Sequence, residues 1–219
     1  MKMLDVPQSG SIAGTTSSRN RFGQYRRSRA IPVNPNTGAQ SAARVRLAES
    51  ATSWRALTAN QRAGWGSLGA LMTRVDSLGQ AYTLTGMQAF VSVNSVLLTG
   101  GGAALLDAPA LASPDAMLTM TITSAAGTLS VAYTTTPMPA NTKLAIFASP
   151  QRSAGRSYES DYRLLAVTAA AAASPYNALA AYSTKFGAPV VGNRIFFMLL
   201  AIFSGFESGP LYGSHVVVA

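Results

Sequence analysis

Glu159 and Asp161, within the segment SYESDYR, are the one closely spaced acidic pair in the sequence. Alternation along an extended chain would place both side chains on one side, where paired carboxylates could support hydrolysis of a glycosidic bond. Arg156 and Arg163 flank the pair, however, and such a mixture of opposite charges is typical of a solvated ionic patch. We therefore expect an exposed ionic patch here and not a catalytic centre.

His215 is the one histidine, and the sequence contains no cysteine. A metal site needs several ligands, and a histidine base needs a nucleophile and an orienting acid, none of which the sequence suggests near His215. The glycine-rich stretch at 99–103 follows a predicted helix and lacks the Lys-Ser/Thr pair of a phosphate-binding loop, so it indicates a helix end. We expect an ordinary strand-edge histidine, no catalytic residues, no cofactor and no metal ion.

The strongest chemical signal is the segment SRNRFGQYRRSRAIPVNPNT at residues 18–37. Guanidinium groups bind phosphates and carboxylates, and interleaved aromatic rings stack on bases or fill pockets on a protein partner. Three roles fit: a nucleic-acid-binding arm, a disordered solubilising tail, and an assembly arm that becomes ordered against a neighbouring subunit. The candidate partner-binding residues are Arg19, Arg21, Phe22, Tyr25, Arg26, Arg27 and Arg29.

Charge is concentrated in the same part of the chain. Residues 1–62 carry ten Lys and Arg residues against two acidic ones, whereas residues 63–219 carry seven against six. Only 11% of the whole chain is charged, against roughly 25% in a typical soluble domain, and a surface with so few charges suits contact with other protein. The interleaved aromatic residues argue against a disordered tail. An assembly arm is favoured, and nucleic acid is the less favoured partner.

The segments that must position these residues predict an α+β protein in four parts. Residues 1–36 form an extended basic assembly arm with a possible hairpin near residues 18–21, and residues 37–102 form a helical region of about three helices. Residues 103–116 have the Pro and Ala content of a linker, and residues 117–219 form an all-β sandwich. Three Thr-x-x-Gln capping boxes, at Thr37, Thr58 and Thr85, predict the helix starts.

Within the first predicted helix, apolar residues recur at helical spacing and are expected to face a core. This stripe comprises Ala43, Leu47, Ala51 and Trp54.

Beyond residue 116 the apolar period changes from helical to two, which predicts short strands separated by turns. Such strands at regular spacing are typical of an immunoglobulin or fibronectin type III sandwich, and the lack of a Cys and Trp pair favours the fibronectin-like variant. A small barrel is the alternative. The apolar run at 190–206 is interrupted by polar residues and is shorter than a membrane span, so we expect a buried strand and no membrane partner. The seven predicted strands are 117–124, 128–134, 143–150, 162–170, 178–186, 194–203 and 214–219.

Residues 9–98 resemble a family of phage and prophage proteins that begin with a Gly-rich, Arg-bearing extended segment. The motifs that carry the resemblance are NPNT before a helix, W-x-x-L-T-x-x-Q-R-x-x-W from Trp54 to Trp65, and G-x-x-x-F-x-x-x-N at Gly86, Phe90 and Asn94. A β-sandwich commonly follows in that family. The resemblance implies a virion or virion-associated structural protein, and it carries over no catalytic residue.

Together these features predict a non-catalytic structural component of a bacteriophage particle. The expected role is a capsid decoration or minor capsid protein that docks through its arm, located in the virion after assembly in the host cytoplasm. Its expected partners are further copies of itself and other virion proteins, such as the major capsid protein or tail and connector proteins. The alternatives are a tail or head-tail connector component, and a DNA-binding or packaging accessory protein that uses the same arm.

Overall fold

The computed structural model describes residues 9–75, 79–115, 117–125, 127–134 and 138–218. Within these ranges the chain is α+β, with four helices and fourteen strands whose pairings are all antiparallel. The chain divides into two compact units, residues 1–44 and 45–219.

The first unit contains a three-stranded antiparallel sheet and ends in the first turns of a helix. The sheet has the order β1 (Gly10–Ile12), β2 (Thr15–Asn20), β3 (Gly23–Ser28), and the helix is α1 (Gly38–Ala56). The predicted hairpin is confirmed for β2 and β3, with Arg21 and Phe22 in its turn. The segment predicted as an extended arm therefore contains a third strand, β1, that the sequence pattern did not indicate.

All three predicted helix starts are confirmed. At the start of α1, the Thr37 backbone N–H donates to the Gln40 side chain, and the Gln40 backbone N–H donates to the Thr37 hydroxyl, both at 3.3 Å. Thr58 and Thr85 form the same reciprocal pair with a glutamine three residues later, which satisfies backbone donors that the first helical turn leaves without partners. The second and third helices are α2 (Ala59–Leu71) and α3 (Gly86–Thr99), and the short hairpin strands β4 (Thr73–Val75) and β5 (Ala81–Thr83) lie between them in the chain.

Helices α2 and α3 build a small core around Trp65. Its ring meets Phe90 edge-on at 5.2 Å between centroids, and its indole N–H donates to the Leu106 carbonyl at 2.8 Å. The Asn94 side chain accepts from the Leu105 N–H at 2.7 Å and donates to the Leu105 carbonyl at 3.1 Å. The segment that the composition suggested as a linker is thus held against the helices by buried hydrogen bonds.

The expectation that the apolar stripe of α1 faces a core is wrong over most of the length of the stripe. Ala43 is exposed, and the side chain of Leu47 is 56% exposed. Only the end of the stripe packs, where the Trp54 ring lies 5.6 Å from Phe90. The buried residue of α1 is instead Ser50. Its hydroxyl tolerates burial because it donates back to a carbonyl of the preceding turn.

The remaining strands form two antiparallel sheets. The strands of the larger sheet are β8 (Lys143–Ala148), β9 (Arg152–Ser153), β10 (Arg163–Val167), β12 (Asn193–Phe203), β13 (Phe206–Glu207) and β14 (Leu211–Val216), and those of the smaller sheet are β6 (Thr119–Ala125), β7 (Thr128–Thr134) and β11 (Tyr176–Asn177). In the larger sheet the long strand β12 pairs along one edge with β8 and along the other with β14, and β10 extends the sheet beyond β8. The smaller sheet has the order β11-β7-β6.

One buried apolar cluster is shared by the two sheets. It takes Leu129 and Val131 from the smaller sheet and alternate residues of β12, such as Ile195 and Phe197, from the larger one. Six of the seven predicted strands are found, the last of them beginning earlier, at Leu211, and ending at Val216. Within the described ranges no helix is long and apolar enough to cross a membrane.

The strand predicted at 178–186 is wrong, because this segment forms helix α4 (Leu179–Phe186). The Asn177 side-chain oxygen accepts the Leu179 N–H at 3.0 Å, which favours a helical first turn. Ala178 and Tyr182 lie one helical turn apart and are both fully buried. Alanine fits either period, so alternation in ALAAYSTKF did not discriminate between helix and strand.

Candidate functional site: a basic three-stranded sheet

The tip of the β2–β3 hairpin presents an aromatic ring beside a cation. Asn20 pairs with Gly23, and the Asn20 side-chain oxygen accepts the Phe22 N–H at 2.9 Å. Gly23 has φ of 115°, a conformation that few other residues adopt, so it lets the chain enter β3 after a two-residue loop. The Arg21 guanidinium lies 4.6 Å from the centroid of the Phe22 ring, and this ring is 69% exposed. The tip therefore offers an apolar surface and a positive charge together.

The pairing register divides the other basic residues between the two faces of the sheet. Residues directly opposite each other on antiparallel strands share a face. Tyr25 and Arg27 therefore lie on one face, opposite Ser18 and Thr16. Arg19 and Arg26 lie on the other face, opposite Gln24 and Ser17 respectively. The structure thus brings the candidate residues onto one small sheet but not into one patch.

Two observations describe what this sheet lacks. Among described residues 9–44, no apolar side chain is buried, and Gln24 is the one buried residue. No ion pair between described residues involves Arg19, Arg21, Arg27 or Arg29. Three short strands usually need an apolar face packed on something else to be stable in water. The sheet is therefore positively charged and has no apolar core of its own.

Both outer strands of this sheet are edges. In the order β1-β2-β3, β1 and β3 each pair only with β2 among the residues that the structure describes. An edge strand presents backbone N–H and C=O groups that can pair with a strand of another chain. Arg29, immediately after β3, is exposed, and its N–H donates to the Gly14 carbonyl at 2.8 Å.

Arg44 has a local structural role that the sequence did not indicate. Its guanidinium donates to the side-chain oxygens of Asn34 at 3.0 Å and Asn36 at 3.1 Å. These two bonds tie the NPNT turn to α1.

The ionic patch expected around Glu159 is present, with Arg156, Asp161 and Arg163 well exposed, but Glu159 itself is not an exposed member of it. The Glu159 side chain is only 1% exposed and lies in a loop at 154–162, not on a strand. Its carboxylate accepts from Arg152 Nε and from the backbone N–H groups of Ser160 at 2.8 Å and Asp161 at 3.0 Å. These bonds, that to Arg152 above all, lower the pKa of Glu159 to about 2. A carboxylate so fully engaged organises the loop and is not available as a base.

The partner that buries Glu159 was not visible in the sequence, because Arg152 lies seven residues away, on β9. Asp161, in contrast, is half-exposed and forms a two-pronged bond with Arg163, at 3.0 and 3.2 Å. Arg152 also lies 3.9 Å from Asp161 through Nη2, so both acidic residues belong to one network of ion pairs with arginines.

Glu159→Gln should lower the melting temperature by roughly 5 °C at pH 7. The folded-state pKa of about 2 lies below the ordinary value of 4.5, so this carboxylate stabilises the fold above about pH 4.5, and the stabilisation is lost as the pH falls towards 2. The difference between wild type and variant should narrow over that acid range in circular-dichroism melts. Asp161→Asn is the control, with an expected change under about 2 °C. A difference in melting temperature that does not depend on pH would contradict the stabilising role of the ionised Glu159 carboxylate.

His215 joins the two sheets. Its Nε2 lies 3.0 Å from the Ser124 hydroxyl, which also accepts the Val218 N–H at 2.8 Å. Burial lowers the pKa of His215, which favours the neutral ring in this contact. Among the described residues no group of three His, Asp or Glu side chains is placed to hold a metal ion.

Similarity to known proteins does not assign a function to these sites. No protein-family model matches the chain, and neither a curated protein nor a solved structure is detectably similar to it. The functional conclusion therefore has to come from the residues and the geometry of this chain.

Proposed function

We propose that this protein is a non-catalytic structural component of a bacteriophage particle that docks through its basic N-terminal sheet, strands β1 to β3. The observation that carries the proposal is the combination of a positive sheet, two open strand edges and no buried apolar residue among described residues 9–44. Such a sheet gains stability when a partner covers it. The low charged fraction of the whole chain, 11%, also suits a protein surrounded by other protein.

The chemistry of the sheet defines its partner. Arginine binds carboxylates with two parallel hydrogen bonds, so the partner surface should be acidic. The exposed Phe22 ring would fill a shallow apolar pocket, with Arg21 beside it, and the free edges would accept a further strand. The partner that fits best is a capsid surface, which makes the protein a capsid decoration or minor capsid protein located in the virion.

We further propose that residues 117–218 are an immunoglobulin-like sandwich of the fibronectin type III kind. If β6, β7, β8, β10, β11, β12 and β14 are lettered A, B, C, C′, E, F and G, the two sheets have the orders A-B-E and G-F-C-C′. This order is the one expected for such sandwiches with a C′ strand on the sheet that contains G, F and C. The departures are a two-residue E strand and helix α4 in the E–F connection.

Two alternatives use the same sheet. A tail or head-tail connector component would dock by the same contacts, but in few copies. A DNA-binding or packaging accessory protein is favoured by the arginines on both faces together with Phe22 and Tyr25, because phosphates and bases could be contacted at once.

The double variant Arg21→Ala/Arg27→Ala tests docking against the control Arg55→Ala/Arg74→Ala, which removes the same charge from exposed positions outside the sheet. The measurement is the copy number of the chain in gradient-purified particles, by quantitative mass spectrometry. We expect the copy number of the first variant to be at least about tenfold lower than that of wild type, and the copy number of the control to equal that of wild type. Equal incorporation of both variants, or absence of the wild-type chain from particles, would refute the proposal.

The same particles separate the alternatives. Hundreds of copies that persist after the DNA is removed with nuclease support a decoration protein, and a dozen or fewer support a connector or tail component. Loss of the chain together with the DNA, and binding to a DNA duplex that weakens steeply with salt, would favour the DNA-binding alternative.

A further inference from the structure

A cavity of about 550 Å³ opens on the unit that contains the two large sheets, and four of its nine lining residues are aromatic. Tyr158 lies in the loop that Glu159 organises, and Tyr162 is the last residue of that loop. Tyr212 comes from β14, and Phe196 comes from β12. Cavities of this size hold small ligands or one end of a longer one. All of its lining residues belong to the second unit, and the cavity has no part in the function proposed above.

The aromatic rings are arranged as an accessible wall. The Tyr162 and Tyr212 rings lie 5.7 Å apart between centroids, tilted by 50°. Tyr158 is 72% exposed and Tyr212 is 58% exposed. Phe196, by contrast, is nearly buried. Large aromatic side chains that converge on one opening, and are not used to fill a core, are suited to binding a ligand.

The hydroxyl groups of these tyrosines distinguish them from the structural tyrosines. The Tyr133 hydroxyl donates to the Ala173 carbonyl at 3.2 Å, and the Tyr182 hydroxyl donates to the Ser149 carbonyl at 2.9 Å. Across the described ranges the hydroxyls of the three cavity tyrosines make no hydrogen bond to the protein. Three serines, at positions 157, 160 and 214, also line the cavity. The site therefore combines aromatic faces with a rim of hydroxyl groups.

The one charge in the cavity lining is already compensated. Glu159 is the one charged residue in the lining, and its carboxylate is neutralised by the arginine and the backbone N–H groups described above. Two arginines outside the lining contact it: Arg156 Nε donates to the Tyr158 carbonyl at 2.7 Å, and Arg194 Nη1 donates to the Ser214 hydroxyl at 3.4 Å. Because the lining itself carries no unengaged charge, a neutral ligand is favoured.

We propose that this cavity binds the neutral pyranose ring of a saccharide. A pyranose has C–H faces that pack on aromatic rings and hydroxyl groups around its edge that pair with phenol and serine hydroxyls. An extended proline-rich peptide would also pack on tyrosine rings, but its prolines offer only carbonyl acceptors, whereas each sugar hydroxyl can both donate and accept. The exposed rings of Tyr158 and Tyr212 would contact the sugar, and Tyr162 packs against Tyr212.

The test uses the full chain and saturation-transfer NMR. The probes are methyl glycosides of glucose, galactose and mannose, N-acetylglucosamine, and linear oligomers of glucose, each at about 10 mM. We expect transfer to the ring C–H protons of at least one probe, and a stronger response from an oligomer if a surface polysaccharide is the source of the ring and not a free sugar. No transfer from any probe would overturn the proposal.

Matched variants locate the binding. Tyr158→Ala and Tyr212→Ala should each weaken binding about tenfold, and Tyr212→Phe, which keeps the ring, should weaken it less. Tyr82→Ala, at an exposed tyrosine on β5 outside the cavity, should leave binding unchanged. Undiminished transfer in the Tyr158→Ala/Tyr212→Ala double variant would overturn the proposal. So would tighter binding of glucuronate than of glucose, or tyrosine-dependent binding of a proline-rich decapeptide in place of the sugars.

Discussion

Trp65→Ala should lower the free energy of unfolding by about 3–5 kcal/mol. The Trp65 side chain is fully buried and is the largest in the helical cluster. Its removal would leave a cavity beside Phe90, and the Leu106 carbonyl would lose its hydrogen bond. Urea denaturation followed by far-ultraviolet circular dichroism measures the change without depending on the tryptophan that is removed.

Two further variants separate the contributions of packing and of the hydrogen bond to the loss of stability in Trp65→Ala. Trp65→Phe keeps a ring but removes the donor, so it should lose the hydrogen bond and only part of the packing, about 1–2 kcal/mol. Trp54→Ala, at a ring that is only half-buried, should cost less than Trp65→Ala. A loss under about 1 kcal/mol for Trp65→Ala would mean that this cluster does not stabilise the fold as described.

Gly69→Ala should destabilise the protein by about 2 kcal/mol, although Gly to Ala inside a helix normally stabilises by up to about 1 kcal/mol. A Cβ atom on Gly69 would lie 2.6 Å from the Leu84 carbonyl oxygen and 3.0 Å from that of Thr85. Both contacts are to backbone, which cannot turn aside like a flexible side chain. The glycine is therefore required for the close approach of α2 to the start of α3.

Gly66→Ala, one turn earlier in the same helix, is the control. A Cβ atom there meets nothing within 4 Å, so this substitution should stabilise by up to about 1 kcal/mol. Denaturant unfolding of both variants should therefore give changes of opposite sign. If both variants were stabilised, the predicted clash at Gly69 would be refuted.

The local rules in the sequence predicted elements better than they predicted packing. The capping boxes at Thr37, Thr58 and Thr85 located three helix starts because cap chemistry depends on residues only three positions apart. The face of α1 was misjudged at Leu47, since burial depends on what lies opposite the helix and not on its own period. Helix α4 was mistaken for a strand because alanine-rich segments fit both periods.

The candidate site was predictable in composition and not in arrangement. The arginine positions came directly from the sequence, but their division between two faces follows from the register of β2 against β3. The partner of the buried Glu159 carboxylate, Arg152, comes from β9, seven residues earlier in the chain. In the same way, Tyr162 and Tyr212 are 50 residues apart in the chain and meet only because β14 pairs with β12.

The central position of β12 has a consequence for synthesis. This strand lies between β8 and β14 in the larger sheet, and Phe206, which follows it closely, contributes to the helical cluster around Trp65. Neither core is complete until residues 193–206 have left the ribosome, roughly 100 residues after α3. At about 5–20 residues per second, the helical cluster waits some 5–20 s for Phe206. The apolar clusters of a nascent chain of this protein therefore stay partly uncovered for about half of its translation.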